Sequence, residues 1–169
     1  MLNKFKFFME SSKEYSAHTI LRDAKRTCKA LATTELIDLH IQDYKYDVSI
    51  AVNELGLDKE LVAELVDDYV AQVIKSVVQF ESYLKTLKTS KENNKDLDYT
   101  ALRELAHKNL GVARNLRIKD AEILLYELMK KDDLEYLVAC LEALKVCAIK
   151  LSPQCAYKTL KLIEVKSSL

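Results

Sequence analysis

Apolar residues recur three and four positions apart along almost the whole chain, the spacing that gathers side chains on one face of an α-helix. The longest such run is Leu61, Val62, Leu65, Val66, Tyr69, Val70, Val73, Ile74, Val77, Phe80, Leu84 and Leu87. It predicts one helix over Asp58–Lys88, about 45 Å long at 1.5 Å per residue, with Asp58 as its N-cap. Valine is frequent there, but a 3-4 period held over thirty residues overrides a strand reading. Thr89 to Lys95 is polar and reads as a loop.

Four further helices follow from the same spacing. Leu102, Leu105, Ala106, Leu110, Val112, Ala113 and Leu116 share a face of a helix over Asp98–Arg117. After a corner at Ile118-Lys119-Asp120, Ile123, Leu124, Leu125, Leu128 and Met129 mark Lys119–Lys131. Asp132-Asp133-Leu134-Glu135 reads as a capping box opening Asp133–Leu151, which buries Leu134, Leu137, Val138, Leu141, Leu144, Ala148 and Leu151. Ser152 then caps a last helix with Pro153 in its first turn.

Upstream of the long helix, the sequence predicts three shorter elements. A capping box at Ser11 and Glu14 starts a helix whose narrow seam is Ala17, Leu21, Ala24, Cys28 and Leu31. Its back is basic (Lys13, Arg22, Lys25, Arg26, Lys29), either a solvated face or a docking face, and His18 lies at the surface. Thr33 and Thr34 offer a second start, with Leu36, Ile37, His40, Ile41 and Tyr44 on its stripe; His40 there reads as a hydrogen-bonded core or boundary residue. A short helix over Asp47–Leu55 ends at Gly56. The resulting expectation is an all-α protein. Its core is an antiparallel four-helix bundle, with residues 1–45 as a helical extension packed on or beside a bundle over 46–169.

Composition narrows the class. Two glycines and one proline in 169 residues are too few for the turns of a sheet protein. The 26 basic and 26 acidic side chains cancel, so no overall field favours nucleic acid. Cys28, Cys140, Cys147 and Cys155 have neither paired nor zinc-ligand spacing, and no metal or cofactor is expected. Cys140 and Cys147 are too far apart on one helix to pair. The four read as core thiols of a cytoplasmic protein. The Phe-rich start has no apolar stretch long enough for a signal peptide, and no run is long enough to span a membrane.

His107 is the candidate for chemistry. It falls on the polar side of its helix, beside Arg103, Gly111 and Arg114, so the imidazole is presented outward. Gly111 costs its helix about 1 kcal/mol relative to alanine, and at i+4 from His107 it removes the side chain that would crowd the ring. Arg103, Lys108, Arg114, Arg117 and Lys119 outnumber Glu104 and Asp120 around this point, a local basic patch. Glu104, one turn before His107, either orients the imidazole or stands solvated.

From Asp47 to Leu151 the chain resembles the histidine-containing phosphotransfer domain of bacterial multistep two-component signalling. The resemblance rests on the helix order, on His107 and Gly111 four residues later, on Ala106 before them and on Asn115-Leu116 after them. It implies a phosphocarrier in which His107 takes a phosphoryl group from a receiver-domain aspartate and passes it on, and Gly111 keeps access open. The implied partners are a receiver domain or a histidine kinase, with no nucleic acid and no membrane. The family's lysine, three residues after the histidine, is replaced by Leu110, and its neighbouring apolar position by Asn109. Lys108 lies about 100° around the helix from His107, which leaves Arg103 and Arg114 as the stand-ins for the missing charge. Asn109 projects into the core and there requires hydrogen bonds. No set of nucleophile, base and orienting group marks an independent active site. Two other readings remain open: an adaptor that docks a receiver or kinase without being phosphorylated, and a helical dimerisation module.

Overall fold

The computed structural model describes residues 16–168, in which there are seven α-helices and no strand. They are α1 (Ala17–Ala32), α2 (Val48–Leu55), α3 (Lys59–Glu92), α4 (Thr100–Asn115), α5 (Lys119–Lys130), α6 (Leu134–Leu151) and α7 (Pro153–Ser167). The Ser11–Glu14 capping box and the Phe-rich start lie outside the described residues.

Caps fix most boundaries. Asp47 accepts from Ser49 N at 2.9 Å and Asp58 from Leu61 N at 2.8 Å. Gly56 closes α2 in the left-handed region, at φ 66°, where a glycine carries no Cβ penalty. Asp133, not Asp132, caps α6, accepting from Glu135 N and Tyr136 N. Ser152 precedes Pro153 as expected, but its hydroxyl donates to the Asp67 carboxylate of α3 at 2.6 Å, tying the α6–α7 corner to the long helix.

Four expectations need correction. The long helix does not stop at Lys88; it continues through Thr89 to Glu92 and breaks only at Asn93 and Asn94, the latter at φ 54°. Polarity there marks the end of core contact, since Leu87 is the last buried residue, and helical hydrogen bonding outlasts burial. No helix starts at Thr33 and Thr34. Their hydroxyls instead donate to the carbonyls of Lys29 (2.8 Å) and Ala30 (2.6 Å), satisfying the acceptors left open at the end of α1. A single 3-10 turn, Ile37–Leu39, follows, and His40 closes it at φ 54°, exposed rather than in the core. In α1 the seam runs through Ile20, with Leu21 only half-buried.

Helix packing closes a circuit: α3 on α4, α4 on α5, α5 on α6, and α6 back on α3. On the far side of that circuit α1 packs on α6 and α7, while α7 also covers α3 and α6. One apolar core runs through all of these helices, from Ile20 and Ala24 of α1 to Phe80, Leu124, Leu137 and Leu160. The short α2 adds a satellite core of Ala51, Val62 and Val66. Because α1 shares the main core, a charge at Ala24, which is 0 % exposed, should weaken the whole domain. Ala24→Asp is expected to cost about 3 kcal/mol or more. Urea denaturation should still show one transition, shifted to lower concentration; an early transition confined to α1 would show that the helix folds separately.

Candidate functional site: an exposed histidine on α4

The surface of α4 is set by what its inner face buries. Leu102, Ala106, Asn109, Leu110 and Ala113 point into the core, so His107, Lys108, Gly111 and Arg114 face water. Asn109 is wholly buried and satisfied. Its Nδ2 donates to the Leu105 carbonyl (2.9 Å) and to Ser76 Oγ (3.2 Å), and its Oδ1 accepts from Gln72 Nε2 at 3.4 Å. The polar bridge to α3 thus fixes the rotation of α4, and with it the outward direction of His107. Leu110 is buried.

The hairpin of α4 and α5 is latched at both ends. At the start of α4, the Arg103 guanidinium donates to the carbonyls of Met129 and of Lys131 (3.1 Å), acceptors left open at the end of α5. It also stacks on the Tyr99 ring at 4.8 Å, while Tyr99 Oη donates to the Asp132 carbonyl at 2.9 Å. At the other end, Arg114 pairs with Glu122 (3.3 Å), which also holds Lys119 (3.4 Å). Arg117, in the left-handed region at φ 63°, pairs with Glu54 of α2. Tyr46 Oη donates to the Leu116 carbonyl (2.7 Å), and Tyr44 Oη donates to the Arg117 carbonyl (3.2 Å) and accepts from Lys119 N (3.0 Å).

These contacts redistribute the expected basic patch. Arg103 and Arg114 flank His107 along the helix, but both guanidinium groups already have partners. Arg117 and Lys119 belong to the corner, and Asp120 is buried beneath it. Glu104 is exposed and makes no hydrogen bond to His107. Among the described residues Lys108 has no ion-pair partner. The tyrosines of residues 44–46 were not readable as corner clamps, since their partners are carbonyls some seventy residues away.

Between the two latches the surface is open. A Cβ built on Gly111 meets nothing within 4 Å, and the residue is not in the left-handed region. The register set by Arg103–Met129 and Arg114–Glu122 brings Ile123 and Tyr126 of α5 level with Gly111 and His107. These are large apolar side chains left 37 % and 50 % exposed. The arrangement is an imidazole on a rigid helix, beside a gap and an apolar edge. Among the described residues no group of three or more His, Cys, Asp or Glu side chains is placed to hold a metal ion. None of the helices there is long and apolar enough to cross a membrane.

No protein-family model, curated protein or solved structure matches this chain. Neither packing nor backbone conformation requires a glycine at 111. Gly111→Ala should accordingly stabilise the fold by about 0.5–1 kcal/mol, read as a raised urea midpoint with an unchanged slope. A loss of stability would mean that the backbone there needs glycine for itself.

Proposed function

We propose that the protein is a phosphocarrier of a two-component phosphorelay, with His107 as the phospho-acceptor on an antiparallel four-helix bundle of α3, α4, α5 and α6. The observation that carries this reading is the exposed His107 beside a Gly111 that the fold itself does not need. A helix that gives up about 1 kcal/mol of stability to keep one side of an imidazole clear is suited to an approaching partner. The closed circuit of α3, α4, α5 and α6 supports the bundle.

A neutral imidazole nitrogen is a competent nucleophile toward an acyl phosphate. Its ring nitrogen attacks phosphorus, the bond from phosphorus to the aspartyl oxygen breaks, and the receiver's carboxylate leaves; the reverse step hands the group on. The metal and acidic pocket for this chemistry belong to the receiver. Ile123 and Tyr126 offer apolar contact to such a partner, and Lys108, next to His107 in the chain, offers a positive charge without an ion-pair partner among the described residues.

A second reading, an adaptor that docks a receiver or kinase without being phosphorylated, is favoured by one specific arrangement. Leu110 is buried where the family has its lysine, and Arg103 and Arg114 are engaged by Met129, Lys131 and Glu122. Phosphate uptake separates the two. Incubation with a phosphorylated cognate receiver should label the protein in an acid-labile, base-stable form. His107→Gln should abolish the label while changing stability by no more than about 0.5 kcal/mol, as expected at an exposed position. Gly111→Leu should block transfer by filling the gap, and Lys108→Ala should slow it. Receiver binding without any label would establish the adaptor. Label that persists in His107→Gln would move the chemistry to another residue.

A further inference from the structure

α1 and α6 meet at two thiols. The sulfurs of Cys28 and Cys147 stand 3.9 Å apart, although 119 positions separate them in the chain. Lys150, one turn further along α6, brings its Nζ to 3.6 Å from the Cys28 sulfur. Asp120, buried at the start of α5, lies on the Cys147 side of the pair.

These neighbours give the two sulfurs different characters. The two sulfurs share one S–H hydrogen bond, in which either can be the donor, and the Lys150 ammonium lies 3.6 Å from the Cys28 sulfur. Together they hold the Cys28 thiol below its ordinary range despite burial. Cys147 is pushed strongly the other way by that same hydrogen bond, by burial and by the charge of Asp120. The ammonium beside Cys28 marks that sulfur as the thiolate, with Cys147 placed 3.9 Å away to react with it, the arrangement that thiol oxidation needs. The remaining cysteines lack it. Burial pushes Cys140 up to about 12 and, with Asp67, also raises Cys155. Cys28 is 2 % exposed and Cys147 7 %, so the pair is buried, which restricts any oxidant to a small molecule.

We propose that Cys28 and Cys147 form a peroxide-reactive dithiol, with Cys28 attacking a small hydroperoxide and Cys147 resolving the product. The Cys28 thiolate attacks the terminal oxygen, the O–O bond breaks, and the alkoxide or hydroxide leaves and takes up a proton. Cys28 is then a sulfenic acid. The Cys147 sulfur attacks the Cys28 sulfur as its own proton passes to the departing hydroxyl; the S–O bond breaks, the S–S bond forms and water leaves. Two electrons pass from the sulfurs to the peroxide, which becomes an alcohol, or water, plus the water of the second step. The sulfurs need only close from 3.9 Å to about 2.05 Å, and the product bolts α1 to α6.

The test uses the full reduced chain and hydrogen peroxide, followed by digestion without reductant and mass mapping. A Cys28–Cys147 link is expected to appear first, with Cys140 and Cys155 still unmodified. It should form about tenfold or more faster than either cysteine reacts in the same chain unfolded in urea at the same pH. Cys147→Ala should accumulate a Cys28 sulfenic acid that a cyclic 1,3-dione captures, and Lys150→Met should slow the reaction about tenfold. A native pair that oxidises no faster than the unfolded chain overturns the proposal, and that comparison needs no variant to fold. So does oxidation that begins at Cys155 or Cys140, or a Lys150→Met rate equal to that of the parent.

Discussion

The burial of α6 is the constraint on which the remaining helices depend. From Leu137 to Ile149 nearly every side chain of this helix is out of contact with water, including Ala139, Cys140, Ala143, Val146 and Cys147 on the sides away from its main stripe. A helix apolar all round has to be surrounded. Four helices are needed to do it: α3 and α5 from the main circuit, α1 and α7 from outside it. That requirement draws α1 into the main core.

The same arrangement explains why the histidine surface is open. α4 packs chiefly on α5 and α3, and neither it nor α5 has α1 or α7 among its main neighbours. Its outer side is left to polar residues, and its position is secured from the edges. Asn109 locks to Ser76 and Gln72, Arg103 to the end of α5, and Arg114 to its beginning. The guanidinium charges of Arg103 and Arg114 are thereby committed to holding the hairpin, and the middle of α4 stays bare around His107 and Gly111.

Polar groups inside the core are few and placed with purpose. The Asn109 bridge is satisfied on both its amide atoms, as buried amides must be if they are not to cost 1–3 kcal/mol, roughly, for each lost partner. Asp120, whose carboxyl burial pushes up, accepts from its neighbour Ala121 N at 2.7 Å and faces Cys147. Through it, the corner that ends the histidine helix and the thiol pair between α1 and α6 share one buried wall.

The sequence by itself determined the helical class, the order of the helices from Asp47 onward, most caps, and the outward face of His107. It also marked Asn109 as a buried amide in need of partners. These features are local: the 3-4 period, an Asp or Ser before an apolar run, and the projection of residues 102–116 each depend on neighbours within a few turns. Two local features ran against the apolar pattern, and tertiary structure decided what depends on groups far apart in the chain. Thr33 and Thr34 end a helix instead of starting one because the carbonyls of Lys29 and Ala30 take their hydroxyls. The polar Thr89–Glu92 stays helical because backbone hydrogen bonding does not require burial. Only the fold committed Arg103 and Arg114 to latching α5, set Tyr44 and Tyr46 on a corner seventy residues away, and brought Cys28 to Cys147. An isolated thiol in a seam carries no trace of its partner in the local pattern, since long-range pairing follows from which apolar faces exclude water together.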